Sequence, residues 1–338
     1  MAYLLIFLFA FVFTVTAVPV SIILAKKYDA LDYPKARKVH RKPVPRWGGI
    51  GIFVGLILAL LSAYFFIPQF KELIVPVSAH KDVFKVCIGI VLGSFIIFLL
   101  GFLDDVIRFP AKFKLLVQLL VASIMFFFGV KITGIGIPFT SIYLTLPLVL
   151  SFALSLFWFC GFINAINLAD GLDGLATGIV AIASAAFFVV AILLNNGVLT
   201  NSAQMGLSAF LAVAVCGAAL GFLIYNFNPA KVFMGDGGSL FLGFMLATIT
   251  MTGTLKSTAV LALFVPIIVV ALPILDVALA LFRRLRKGMG IMMPDKEHIH
   301  HRLLQYGWSQ REIVLLMYVF TLILSIVSIL LVVLKMAS

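Results

Sequence analysis

The chain has 338 residues, 63% of them hydrophobic and only 11% charged, with 25 Lys and Arg against 13 Asp and Glu. A soluble domain carries about 25% charged residues, so a water-soluble globule is excluded. Apolar runs of about 20 residues are helical spans, not the short alternating strands of a membrane barrel. The net charge of +12 follows the membrane topology below and calls for anionic lipid, with no nucleic acid partner.

Ten spans are expected in chain order, at 3–25, 48–67, 83–103, 112–129, 144–163, 174–194, 204–224, 238–254, 258–282 and 312–336. The first has no basic segment before it and runs into Lys26-Lys27, which reads as a span and not a cleaved leader. The connections after the odd-numbered spans hold 19 of the 25 Lys and Arg. By the positive-inside rule these connections are cytoplasmic and both termini are outside. The expectation is therefore one all-α polytopic membrane bundle over 1–338. Cys87, Cys160 and Cys216 sit in apolar runs and show neither disulfide nor metal spacing.

The first cytoplasmic connection, RKVHRKPVPRWGG, is basic through Arg37, Lys38, His40 and Arg46. Next, Asp104 and Asp105 follow the third span, with Arg108, Lys112 and Lys114 just after. Adjacent helical side chains diverge by about 100°, so these two acids cannot share one ligand in the same way. The plainer alternative is a solvated helix end balanced by the bases. Asn164, Asn167, Asp170 and Asp173 then recur every third residue. An unbroken helix would spread them over half its circumference, and Gly171 and Gly174 let the backbone turn around the acids. Helix capping explains one or two of these residues but not four.

Asp236 lies in FMGDGGS just before the eighth span, where glycines and helix-start amides favour phosphate; an N-capping aspartate is the plainer reading. Asp276 falls inside the ninth span, two turns before Arg283, and is either a ligand contact or half of an internal ion pair. His298, His300, His301 and Arg302 follow in PDKEHIHHR. With no cysteine nearby they suit a phosphate or sugar better than zinc. Carboxylates next to lipid are costly, and hard oxygen donors in this number suit Mg²⁺, with Mn²⁺ as the substitute. A cation-coupled transporter is the rival class, but it would place acids near the midplane and not at one face.

Taken in order, the VPRWGG loop, GFLDD, NAINLADGLDGLA, VFMGDGGSLFLG and PDKEHIHH resemble the polyprenyl-phosphate N-acetylhexosamine-1-phosphate transferases. The chain is similar to their WecA/TagO branch and more distantly to the MraY branch, and the motifs span residues 32 to 302. The resemblance implies transfer of N-acetylglucosamine 1-phosphate from a UDP-N-acetylhexosamine, UDP-GlcNAc above all, to undecaprenyl phosphate in the bacterial cytoplasmic membrane. The products are UMP and a lipid-linked diphosphate sugar that starts a cell-surface polysaccharide, teichoic acid or lipopolysaccharide.

Carried over residue by residue, it implies Asp236 and Asp170 at the metal, and Asn167, Asn226, Phe233 and Asp173 at the nucleotide. Asp104, Asp105 and Asp173 are implied in catalysis, the first two at the lipid phosphate. His298, His300, His301 and Arg302 are implied at the diphosphate and sugar, and the 35–46 bases offset charge. Asn164 and Asp276 are second-tier positions, and a homodimer is compatible with the relatives. Relatives that use UDP-MurNAc-pentapeptide carry three consecutive histidines where this chain has His298-Ile299-His300-His301, and another pair in place of Arg46-Trp47. Both departures point to the GlcNAc branch.

Overall fold

In the computed structural model the described residues are 1–34, 42–75, 81–136, 143–196, 203–253 and 299–337, with isolated positions between 267 and 286. The helices are α1 (Ala2–Lys27), α2 (Gly48–Phe66), α3 (Pro68–Ile74), α4 (Lys81–Ile107), α5 (Ala111–Phe127), α6 (Leu148–Ala169), α7 (Leu175–Asn196), α8 (Ala203–Asn226), α9 (Gly235–Gly253), α10 (Ile299–Gln305) and α11 (Gln310–Ala337). Among the described residues, seven are long and apolar enough to cross a membrane: α1, α2, α4, α6, α7, α8 and α11. The chain is a multi-pass, mainly helical membrane protein.

The expected fourth span corresponds to the 17-residue α5 and the eighth to α9. Most of the expected ninth span, Asp276 included, lies outside the described residues. Two short antiparallel ribbons interrupt the helices. They are β1 (Leu31–Asp32) with β2 (Val44–Pro45), and β3 (Gly134–Gly136) with β4 (Tyr143–Thr145).

The helix at the expected eighth span, α9, does not face lipid. Every residue from Gly237 to Gly253 is buried, with α4, α6 and α8 as its main neighbours and α2 and α7 beside them. A helix enclosed on all sides needs no apolar outer face, so it tolerates Thr248, Thr250 and Thr252. Their hydroxyls donate back to the carbonyls of Phe244, Ala247 and Thr248.

Around this axis, α1 buries one stripe, Ile6, Ala10, Thr14, Val18, Ser21 and Ala25. That stripe fits between α2 and α8 because both neighbours present glycines four residues apart. A Cβ at Gly51 or Gly55 would strike Val18 or Thr14, and one at Gly217 or Gly221 would strike the carbonyls of Phe7 or Phe11. Without a hydrophobic drive between helices in lipid, such close backbone approach is a main source of association.

α4, α6 and α9 overrun the expected span limits furthest at one end of the bundle. α4 continues to Ile107, α6 to Ala169, and α9 begins at Gly235. Hydropathy stops where polar residues begin, whereas a helix continues while its backbone bonds are made. Asp104, Asp105, Asn164, Asn167 and Asp236 consequently sit on regular helical turns, directed by helix geometry and not by loose loops.

Candidate active site

The polar residues at this end are assembled by the crossing of α2, α4 and α9. Gly48 and Gly49 open α2, and their N–H groups donate to the carbonyls of Phe233 and Met234 at 3.0 and 2.9 Å. The N–H of Phe233 donates to Pro45 at 2.8 Å, so the segment entering α9 runs alongside the VPRWGG loop. A Cβ on Gly49 would collide with the backbone of Gly238, and one on Gly101 with the carbonyl of Asp236. Gly235 has φ +71°, and its Cα faces the Asp105 carboxylate and the Arg46 carbonyl. These glycines serve the close approach of three helix ends.

The two adjacent acids of α4 diverge as helical spacing requires. Asp104 accepts from the Phe109 N–H at 2.6 Å and from Lys114 Nζ at 2.9 Å. Asp105, its side chain buried, accepts from the N–H groups of Asp236 and Gly237 at 3.1 and 3.2 Å. It thus caps the start of α9 from another helix, where a carboxylate meets unpaired amides and the positive end of the dipole. Arg46 lies 3.6 Å from Asp105 and 3.9 Å from Asp32, which ties the first connection to the α4–α9 junction.

Lys114, in the first turn of α5, stands between Asp104 and Asp236 and donates to an oxygen of each at 2.9 Å. The other oxygen of Asp236 accepts from Asn167 Nδ2 at 3.2 Å, and the same amide donates to Ser239 Oγ at 2.8 Å. One turn earlier, Asn164 donates to Gln118 Oε1 at 2.6 Å. Asn164 therefore joins α6 to α5 beside the acids and does not touch them. Lys114 and Gln118, four residues apart on α5, face the site together. The sequence offers Lys114 only as one of three bases after the acids and does not single out Gln118 or Ser239; a Lys and a Gln at helical spacing in an otherwise apolar stretch is the available signal.

The α6–α7 turn carries the remaining acids. Asp170 ends α6, and its N–H donates to the Asn167 carbonyl at 3.2 Å. Desolvation holds its carboxyl well above the ordinary carboxylate range. The charges of Asp236, Asp105 and Asp173 push in the same direction, opposed by Arg46. Asp173 accepts from Asn228 Nδ2 and the Ala230 N–H, both at 3.0 Å.

Asn226 is buried where α8 ends. Its Oδ1 accepts from the Gly174 N–H at 3.1 Å and Thr177 Oγ1 at 2.8 Å, and its Nδ2 donates to Val232 at 3.0 Å. Asn226 thus joins two site turns through its amide. Phe233 is half-buried between β2 and α9, and Arg302 is exposed on α10. Arg37, Lys38, His40, His298 and Asp276 lie outside the described residues, as do the side chains of His300 and His301.

Residues 87–254, which contain all five site acids, match the model of the family described as glycosyl transferase family 4. The chain is 38% identical over 308 residues to a probable undecaprenyl-phosphate N-acetylglucosaminyl 1-phosphate transferase of Bacillus subtilis, covering 91% of this chain and 79% of that one. The chain belongs to glycosyl transferase family 4. It is also 36% identical to a decaprenyl-phosphate N-acetylglucosaminephosphotransferase of Mycolicibacterium smegmatis, with 88% and 74% of the two chains covered. The undecaprenyl-phosphate alpha-N-acetylglucosaminyl 1-phosphate transferase of Escherichia coli K12 is 29% identical, with 85% and 72% covered.

Family membership gives the clustered acids a context. Asp104, Asp105, Asp170, Asp173 and Asp236 come from three segments of one matched region, and Lys114 and Arg46 are the cations set among them. An ammonium, a guanidinium and hard oxygen donors at one end of a membrane bundle can hold phosphate groups and a divalent cation together.

Proposed function

We propose that the protein transfers N-acetylglucosamine 1-phosphate from UDP-GlcNAc to undecaprenyl phosphate, releasing UMP, at the cytoplasmic face of the bacterial cytoplasmic membrane. The observation that carries this reading is Lys114 bridging Asp104 of α4 and Asp236 of α9 at 2.9 Å each, at the helix ends where the basic connections gather. Orientation rests on the 19 of 25 Lys and Arg in those connections.

The acceptor is a phosphate monoester with a second pKa near about 6, largely dianionic at neutral pH. A general base therefore adds little, and positioning with charge neutralisation dominates. A lipid phosphate oxygen attacks the β-phosphorus of the UDP-sugar. The new P–O bond forms as the bond to the bridging oxygen breaks, and UMP leaves with that electron pair. Lys114 offsets charge between acceptor and donor, and Asp104 holds its ammonium in place. Asp105 fixes the start of α9 by accepting from its first amides, and Arg46 neutralises charge beside it. Asp173 and Asn226 set the turns that face the donor, and Phe233 is the aromatic for the uracil. His300, His301 and Arg302 take the diphosphate and sugar.

Asp236 and Asp170 would hold Mg²⁺, or Mn²⁺ in its place, since their oxygens are hard donors with Asn167 already steering Asp236. Among the described residues, no three acidic or imidazole groups form a metal cage, so substrate phosphates would complete the coordination. When bound, the ion supplies Lewis-acid neutralisation of the diphosphate.

The test is UMP release by the purified protein from UDP-GlcNAc. The expected result needs undecaprenyl phosphate, disappears with EDTA, returns with Mg²⁺ or Mn²⁺, and is lost in a folded Asp236→Ala variant. Release only from UDP-MurNAc-pentapeptide would move the protein to that branch. Release from neither donor would sink the proposal.

A further inference from the structure

The motif DGLDGLATG contains a third glycine, Gly178, that the acids do not explain. It lies in the first turn of α7, where a Cβ would overlap the ring of Tyr318 from α11. The tyrosine therefore sits in a notch that only glycine leaves open. Its hydroxyl donates to the carbonyl of Gly174 at 2.5 Å. Gly174 has φ +81°, and its N–H is held by Asn226, so this one residue is gripped from both α8 and α11.

α11 also reaches, twice, the loop after α8 that holds Asp173. Asn228 Nδ2, which donates to Asp173, also donates to Gln310 Oε1 at 2.9 Å. Arg311 Nε and Nη2 donate to the Asn228 carbonyl at 3.1 and 3.0 Å. Beneath these bonds, Leu172 and Leu175 meet Ile313 and Met317 in an apolar cluster separate from the main core, joined by Leu303 and Leu304 of α10. Elsewhere α11 is an outer helix whose main described neighbour is α7. Spanning the membrane does not call for polar attachments both to an acid-bearing turn and to the loop that holds its Asp173.

We propose that Tyr318 is a positioning residue: through the Gly174 carbonyl it sets the turn that carries Asp170 and Asp173. With Gln310 and Arg311 it ties this donor-facing half of the site to the α10–α11 unit that bears the histidine segment. The inference rests on the transferase reading above for its substrate assignments. Among the described residues, Asp104 and Lys114 bond to Phe109, to each other and to Asp236, and not to α11, so the acceptor half does not depend on Tyr318.

The experiment uses the full chain in detergent. Tyr318→Phe keeps the ring in its notch and removes only the hydroxyl. The apparent KM for UDP-GlcNAc should rise about fivefold to tenfold, the loss of one net hydrogen bond, while the KM for undecaprenyl phosphate stays within about twofold. Hydrogen exchange at residues 170–178 should become faster. Gly178→Ala should reproduce the pattern by displacing the ring, and the double variant should be no worse than Gly178→Ala alone. Should Gly178→Ala fail to fold, Tyr318→Phe decides by itself. Unchanged exchange with an unchanged donor KM, or equal shifts in both KM values, would overturn the proposal. Wild-type protein inactive on UDP-GlcNAc would instead refute the transferase reading, and exchange would still decide whether Tyr318 holds the turn.

Discussion

Lys114 is the residue on which the charges of the site balance. Asp104 and Asp236 come from helices far apart in the chain, and a single ammonium with three donors satisfies an oxygen of each. Removing it leaves two carboxylates facing each other in a confined space, where an uncompensated charge costs about 3–5 kcal/mol. Lys114→Met should lower kcat/KM for UMP release by about 10²- to 10³-fold, the scale of losing one preorganised charge partner. Lys114→Arg keeps the charge but not the compact head group and should fall between the two. Activity of Lys114→Met within twofold of wild type would rule out this role, provided gel filtration shows a folded protein.

The sequence displayed this lysine as one base among Arg108, Lys112 and Lys114, with nothing to say which of them turns inward. It did disclose that Asp104 and Asp105 point apart, because helical geometry alone sets that angle. Their partners, Lys114 for one and the α9 amides for the other, come from segments 10 and more than 130 residues away, beyond the reach of any local pattern.

At the scale of elements, the site depends on how closely α2, α4 and α9 cross. Gly49 and Gly101 occupy positions where a neighbour's backbone lies where a side chain would begin. Backbone cannot move aside as a flexible side chain can, so Gly49→Ala must push α2 from α9 and break the paired bonds from Gly48 and Gly49 to Phe233 and Met234. Overpacking of this kind costs about 1–3 kcal/mol. Thermal unfolding in detergent should show a clear drop in Tm, with UMP release reduced as the Asp236 turn shifts. An unchanged Tm would mean that the crossing is more tolerant than its geometry. From sequence, the glycines of MGDGGS read as phosphate-facing, and those of VPRWGG only as part of the family resemblance. Their packing role became evident only once the opposing helix was known. The same holds for α6, whose last turns carry Asn164 and Asn167 past the end of the apolar run.

At the scale of the molecule, the described site residues lie at one end of the bundle, and the β3–β4 ribbon lies in a connection of the opposite set. The positive-inside reading then makes two surfaces distinguishable in cells. In a background with Cys87, Cys160 and Cys216 replaced by Ser, a single cysteine in place of Lys131 should react with a membrane-impermeant maleimide on intact cells. One in place of Lys231, exposed beside the site, should react only after the membrane is opened. The reverse pattern would invert the protein and take the site away from cytoplasmic nucleotide sugars.

Composition and apolar run length alone determined that this chain is a helical membrane protein, because the bilayer demands about 20 apolar residues per span and internally bonded backbone. The distribution of Lys and Arg implied its orientation, and the order of five polar motifs carried the family resemblance. The tertiary structure decided the division of labour among the acids: Asp105 to the α9 amides, Asp104 and Asp236 to Lys114, and Asp173 to the loop after α8. It also decided that α9 is a buried axis, that Asn226 joins two turns through its amide, and that Gly178 is a seat for Tyr318. These outcomes depend on which helix ends meet. Helix contacts in lipid are set by close packing of small residues and by polar pairs between distant segments, and the spacing of such residues along one helix does not name the helix that meets it.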